Sequence, residues 1–183
     1  MKARILFQLS GSIAGFKACQ LMSRLVQAGY EVQATCTKNT TQFIGDSTFH
    51  GITGKPIIKD IYSVSDLPGH IALAKWADIA LLCPATASTI AKLANGSADD
   101  VVSATFLSFD MKSKPYLVAP AMNHQMFHHP ATIGNLAKLE SWGVSVLPTS
   151  FGYLACGELA EGRLLDLDLI YERVITALEK RAQ

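Results

Sequence analysis

The side chains best suited to chemistry in this sequence are a thiol, an amide and an imidazole, each in a stretch that also carries a turn-forming glycine or proline. The thiol is Cys156, in FGYLACGELAEGR (151–163), where three glycines break the stretch and Glu158, Glu161 and Arg163 follow closely. The stretch does not read as core, so the expectation is a mobile polar loop that leaves the thiol accessible. The amide is Asn123, in PAMNHQMFHHPAT (120–132). A neutral donor and acceptor there can grip a carboxylate or amide without changing the local charge; capping a helix is an equally good use of the same side chain. The imidazole is His70, in LPGHIALAKWAD (67–78), where a glycine turn enters a helix or loop. It reads as a satisfied structural histidine or as a base. His124 and His128 would share a helical face, but no acid lies among them and HExxH is absent, so a metal site is not expected.

Two further stretches are suited to an anion. In SGSIAG (10–15) a glycine lets the backbone turn and approach a phosphate, and a helix amino terminus follows with unpaired N–H groups. The third glycine of GxGxxG is missing, and the next apolar run ends in ATCTKNTT (34–41) with no acid to hold a ribose. A dinucleotide is therefore disfavoured; hydroxyls such as Ser12 and Thr37 suit a mononucleotide phosphate or a ribityl chain. In PATASTIAKLANGSADD (84–100), Thr86, Ser88 and Thr89 crowd another helix start. One hydroxyl there is a routine cap, whereas three in a second such loop favour an anion site.

These stretches need a scaffold, and the chain supplies one. Strand-like runs at 3–9, 31–36, 78–84, 115–121 and 144–148 alternate with helix-like segments at 12–29, 89–96, 100–109, 132–143 and 169–183. A polar segment from Thr37 leads into a further helix. In the first helix Ile13, Phe16, Leu21 and Leu25 fall at helical spacing, and Gly29 closes it. DIALLCP (78–84) is apolar almost throughout, as a strand covered on both faces must be. The order implies an α/β fold with a parallel sheet, helices on both faces, and ligands beyond the carboxyl ends of the strands. No repeat, low-complexity tract or linker interrupts it, so 1–183 reads as one domain.

Composition narrows the function. Of 183 residues, 49% are hydrophobic and 17% charged, and 16 Lys plus Arg against 15 Asp plus Glu give a scattered net charge of +1, which offers no electrostatic case for nucleic acid or an anionic membrane. No apolar run reaches the length of a spanning helix, and the amino terminus reads as a first strand rather than a signal peptide. The four cysteines, Cys19, Cys36, Cys83 and Cys156, form no CxxC pair and are expected as reduced thiols in a cytoplasm.

Taken in order and spacing, GSIAGFK, HIALAKWAD, PATASTIAKLANGSADD, PAMNHQMF and ACGELAEGR closely resemble the signatures of the homo-oligomeric flavin-containing cysteine decarboxylases. The resemblance runs from the first strand to Arg163. It implies a flavodoxin-like, three-layer α/β/α subunit assembled as a trimer or a dodecamer of trimers, with active sites between subunits. It implies FMN held by Gly11, Ser12 and Ile13, by Thr37, Lys38 and Asn39, by Thr86, Ala87, Ser88 and Thr89, and near Ala121. His70 corresponds to the family's catalytic histidine and Asn123 to the asparagine that binds the substrate carboxylate. Tyr153, Leu154, Ala155 and Arg163 fall on the flap over the substrate. Gly15 and Phe16 stand where the family usually has alanine and tyrosine, and Phe127 where it has tryptophan.

The activity implied is decarboxylation of 4'-phospho-N-pantothenoylcysteine to 4'-phosphopantetheine in coenzyme A biosynthesis, with a separate synthetase as candidate partner. An acylated cysteine has no electron sink for losing its carboxylate; oxidising its thiol to a thioaldehyde provides one, and a flavin can take the hydride. The ene-thiol that follows needs a hydride and a proton, and Cys156 reads as the acid, since a thiol is protonated at neutral pH yet able to donate. A peptidyl-cysteine decarboxylase of a lantibiotic-type pathway stops at the ene-thiol and has no use for that cysteine. A flavin prenyltransferase shares only the fold and phosphate loops. Non-catalytic flavoprotein relatives that regulate a phosphatase lack part of the catalytic set and carry acidic extensions, whereas His70, Asn123 and Cys156 all occur here and the LEKRAQ tail is not acidic.

Overall fold

The computed structural model describes residues 2–62 and 69–181. Leu67 and Pro68, which open the His70 stretch, and the final Ala182 and Gln183 lie outside the described residues. Five strands, β1 (Arg4–Leu9), β2 (Glu31–Cys36), β3 (Ile79–Ala85), β4 (Tyr116–Pro120) and β5 (Ser145–Val146), pair in parallel in the order β2-β1-β3-β4-β5. That is the flavodoxin-like order, whose direction of winding reverses between β1 and β3. The first four strands fall within one residue of the expected runs; VSVLP contributes only Ser145 and Val146.

Alternation along the strands sends side chains to both faces. Ile5, Phe7, Leu9, Leu81 and Cys83 point to a core covered by α1 (Gly15–Gln27), α2 (Asp46–Thr53) and α8 (Leu167–Arg181). Leu6, Ala80, Leu82 and Val118 point to a second core under α3 (Gly69–Trp76), α4 (Ala87–Ala94), α5 (Val101–Leu107) and α7 (Pro130–Ser141). The result is the three-layer α/β/α arrangement. Gln8, wholly buried in β1, is satisfied by Thr35 Oγ1, the Val102 carbonyl and the Tyr116 hydroxyl. Burial pushes the Tyr116 phenol up, so it remains a donor there.

Two segments are decided among the alternatives the sequence left open, and a third differs from the sequence reading. HIALAKW is helical from Gly69, and a short helix, α6 (His124–His128), follows Asn123. The third is FGYLACGELAEGR, an antiparallel hairpin of β6 (Ser150–Tyr153) and β7 (Leu159–Arg163) with Cys156 in its turn, rather than an irregular loop. Its strands lie outside the main sheet, and β7 packs against α6. No helix among the described residues is long and apolar enough to cross a membrane.

Candidate functional site

The carboxyl ends of β1, β3 and β4 are tied into one rim. Ser10, the residue after β1, donates its hydroxyl to the Pro84 carbonyl (2.7 Å) and accepts from the Thr86 N–H (2.9 Å). The Ala121 N–H donates to the Ala85 carbonyl (3.0 Å), and the Met122 N–H to the Gly162 carbonyl of the hairpin (2.9 Å). Adjacent loops are thus held by main-chain or hydroxyl bonds, which fixes their relative positions. Ser10 was not singled out from the sequence; its signal was only its place directly after a buried strand.

Glycine is required at two points of this rim. A Cβ on Gly11 would come within 2.7 Å of the Asn39 Cβ, so only glycine lets the loop after β1 pass the 3₁₀ turn Lys38–Gln42. Gly162 has φ +114, and a Cβ there would overlap the Met122 carbonyl oxygen. The hairpin reaches the rim through this contact.

A cleft of about 620 Å³ opens inside the rim. Gly11, Ser12 and Ile13 line one side, with Thr86 and Ala121 beside them. Asn123, Tyr153, Leu154, Ala155, Cys156 and Arg163 line the other. The structure therefore brings together most of the residues singled out from the sequence. Asn39 sits against Gly11, and neither it nor Thr37 or Lys38 is on the wall. Thr89 is buried, with its hydroxyl 3.2 Å from that of Thr86, whose side chain caps α4. Neither Thr89 nor its neighbours Ala87 and Ser88 line the cleft.

His70 does not line it either. It stands in the first turn of α3, and its Nδ1 is buried without a hydrogen-bond partner among the described residues. Phe16, Lys17, Met122 and Met126 do line it, unforeseen from the sequence. Helical spacing grouped Ile13 and Phe16 with Leu21 and Leu25. Only the latter two are buried, while Ile13 and Phe16 are 56% and 50% exposed at the cleft edge. Burial and the neighbouring Arg163 guanidinium lower the Lys17 amine from its ordinary value, with Asp166 opposing.

Asn123 lines the cleft and serves one of the two uses anticipated for it, that of a helix cap. Its Oδ1 accepts from the Gln125 N–H (2.8 Å) and caps α6, which commits the amide oxygen and turns Nδ2 toward the hairpin. Nδ2 lies 3.4 Å from Cys156 Sγ and 3.4 Å from Glu158 Oε2. Cys156 is exposed, whereas Cys19, Cys36 and Cys83 are buried. Two other histidines are used locally: His128 Nε2 meets Glu161 Oε2 at 2.9 Å, binding α6 to β7, and the ring of His124 packs on that of His128. Among the described residues no group of three His, Cys, Asp or Glu side chains is arranged to hold a metal ion.

Chemically the lining combines apolar side chains with hydroxyls beside the starts of α1 and α4, an amide, a thiol and two cations. Comparison with known proteins agrees with that description. The family described as Flavoprotein matches residues 1–179. A probable phosphopantothenoylcysteine decarboxylase of Streptococcus mutans is 38% identical over 176 residues, covering 95% of this chain and 98% of the relative. The coenzyme A biosynthesis bifunctional protein CoaBC of Bacillus subtilis is 40% identical over 162 residues, 87% of this chain but only 39% of that protein. Among solved structures, a PPC decarboxylase mutant complexed with pantothenoylaminoethenethiol superposes with a TM-score of 0.89 at 31% identity, over 98% of this chain and all of that one. The FMN-dependent cysteine decarboxylase SpaF gives 0.86 at 28%, over 100% of this chain and 98% of that chain.

Proposed function

The chain belongs to the Flavoprotein family, and from that premise we propose that it is an FMN-dependent decarboxylase converting 4'-phospho-N-pantothenoylcysteine to 4'-phosphopantetheine. The observation that carries the reading is the approach of Asn123 Nδ2 to Cys156 Sγ at the mouth of the cleft, 3.4 Å apart. A group suited to hold a carboxylate and a group suited to protonate carbon thereby face the same point. A decarboxylase that stops at an ene-thiol has no task for the second.

The donor set fits FMN. Ser12 and Thr86 offer hydroxyls, α1 begins at Gly15 behind an N-cap, Ala14, whose side chain cannot cap it, and Ile13, Phe16 and Met122 offer apolar walls to a flat ring. When bound, FMN supplies the two-electron exchange that side chains cannot. The protein does the rest. Asn123 Nδ2 orients the substrate carboxylate so that carbon dioxide departs along a fixed direction. Lys17 and Arg163 give the cleft a positive side for a phosphorylated substrate. The apolar hairpin residues Leu154 and Tyr153 exclude water above the reacting carbon, and Cys156 delivers the proton.

His70 enters this reading as the contribution of a neighbouring subunit in a trimer or dodecamer of trimers. Its absence from the cleft of its own chain and the bare apolar side chains of the hairpin, Phe151 at 64% and Tyr153 at 77% exposed, both support a site completed by a second copy. A separate synthetase would supply the substrate, and both enzymes would work in the cytoplasm. Purified protein is expected to be yellow, to release carbon dioxide from 4'-phosphopantothenoylcysteine and to form 4'-phosphopantetheine. Mixed oligomers of His70→Asn and Cys156→Ser subunits, each defective alone in forming 4'-phosphopantetheine, should regain its formation. A colourless protein that FMN does not reconstitute, or one inert toward that substrate, overturns the proposal.

A further inference from the structure

The carboxylate of Glu158 has no assigned task, yet its position is closely specified. The Leu154 N–H donates to the Glu158 carbonyl (2.8 Å) and the Gly157 N–H to the Leu154 carbonyl (2.9 Å), with Gly157 at φ +86. This turn places Cys156 at the tip and Glu158 two residues on, with both side chains reaching Asn123. The Cys156 thiol donates to Glu158 Oε2 at 3.6 Å, and Asn123 Nδ2 donates to the same oxygen at 3.4 Å. Among the described residues these two are the only side chains that Glu158 meets; the nearby Glu161 is taken by His128 and Asp166 by Arg163. An acceptor with no cation of its own is thus aimed at the proton donor of the site.

We propose that Glu158 is a positioning residue for the protonation step: it orients the Cys156 S–H and returns a proton to the sulfur after each turnover. The inference rests on the decarboxylase reading. When the carbon of the ene-thiol is protonated, a C–H bond forms, the Cys156 S–H bond breaks and a thiolate remains. Glu158, having taken a proton from solvent water, passes it to that thiolate; an O–H bond breaks, the S–H bond re-forms and no electrons change hands. Asn123 sets the order. Its Nδ2 holds Glu158 in the free protein, so an incoming substrate carboxylate must displace Glu158. The thiol regains its aim only after that carboxylate has left as carbon dioxide.

The test compares Glu158→Gln and Glu158→Asp with the parent holoenzyme. With 4'-phosphopantothenoylcysteine, Glu158→Gln should still release carbon dioxide but form fully reduced 4'-phosphopantetheine at least about tenfold more slowly, the remainder appearing as oxidised ene-thiol. KM should fall severalfold because the competing carboxylate is gone, and Glu158→Asp should restore part of the reduced product. Without substrate, iodoacetamide should alkylate Cys156 severalfold faster in Glu158→Gln, since the charged acceptor that ties up the S–H becomes a neutral and weaker one. Parental product ratio and parental alkylation rate in Glu158→Gln would overturn the assignment while leaving the decarboxylase reading intact. Failure of the parent enzyme to release carbon dioxide would overturn both, and the alkylation comparison would then report only whether Glu158 and Cys156 touch.

Discussion

Two cysteines show how differently this molecule treats its two ends. Cys83 lies at the centre of β3 with no solvent exposure, and burial pushes its thiol far up; Cys19 and Cys36, on the same side of the sheet, are pushed up to about 11 for the same reason. Cys156 lies on the hairpin, exposed, with an amide and a carboxylate for neighbours. The sheet makes its thiols inert and part of a core, whereas the hairpin buries almost nothing and is held by a few main-chain contacts. Binding of an anionic cofactor suits the first kind of region and closure over a substrate suits the second.

The sharpest way to break this contrast is at the thiol itself. Cys156→Ser should cut formation of reduced product by about 10²–10⁴-fold while carbon dioxide is still released, because only the acid of the last step is lost. Product analysis by mass spectrometry checks it; equal loss of both products would mean that Cys156 acts earlier. Asn123→Asp should abolish carbon dioxide release, since it sets a second negative charge against the substrate carboxylate. Ellman's reagent at pH 8 should find one fast thiol in the native protein, four after unfolding and none fast in Cys156→Ser.

A second comparison uses leucine on both sides. Leu81→Ala, in the fully buried run of β3, should cost about 2–5 kcal/mol, whereas Leu159→Ala, 57% exposed on β7, should stay within about 0.5 kcal/mol. Thermal or urea unfolding measures both. Near-equal losses would show that the hairpin belongs to the cooperative core, and the division drawn here would fall.

How far the sequence revealed these two ends follows from the same difference. β1 to β4 were legible because each is apolar enough to lie between two helical layers, and the loops after β1 and β3 were legible because glycine and hydroxyls cluster where helices begin. The hairpin was not, because exposed strands such as SFGY need no regular alternation and their pairing depends on Gly152, Gly157 and Gly162 rather than on a hydrophobic face. Asn123 looked like either a cap or a ligand grip; its Oδ1 is the cap, and its Nδ2 is turned toward Cys156 and Glu158. Lys17 gave no signal, since a lysine one turn into an amphipathic helix reads as solvated. His70 was found through family resemblance and stands outside the cleft of its own chain.

Intermediate effects test how each region is anchored. Gly162→Ala forces a side chain into a left-handed backbone and against the Met122 carbonyl, so the hairpin should detach at a cost of about 1–2 kcal/mol from the backbone alone. Hydrogen exchange at Met122, whose N–H bonds to Gly162, should accelerate with little change elsewhere. The anchor at the foot of β3 responds instead to acid. Burial alone would raise the Asp78 carboxyl, but hydrogen bonds from the Arg4 side chain, the Arg4 N–H and Arg181 outweigh it and hold it well below the usual carboxylate range. A depressed folded value stabilises above the ordinary pKa of about 3.9 and is lost as pH falls below it. Asp78→Asn should therefore lower stability at pH 7 and flatten its decline as the pH falls below about 5, where the ordinary carboxylate begins to take up its proton.

The smallest effect is expected at His128 and Glu161, 45% and 53% exposed, which join α6 to β7 across 2.9 Å. An exposed pair of this kind contributes about 0–1 kcal/mol, and salt screens it further. If the hairpin is held chiefly by the Met122–Gly162 bond and the register that Gly162 permits, Glu161→Gln should leave the melting temperature nearly unchanged. Exchange at Met122 should also stay close to its parental rate at both low and high salt. A large acceleration at low salt alone would instead make the ion pair the latch of the hairpin. Charge would then govern the substrate end in the way that apolar packing governs the sheet.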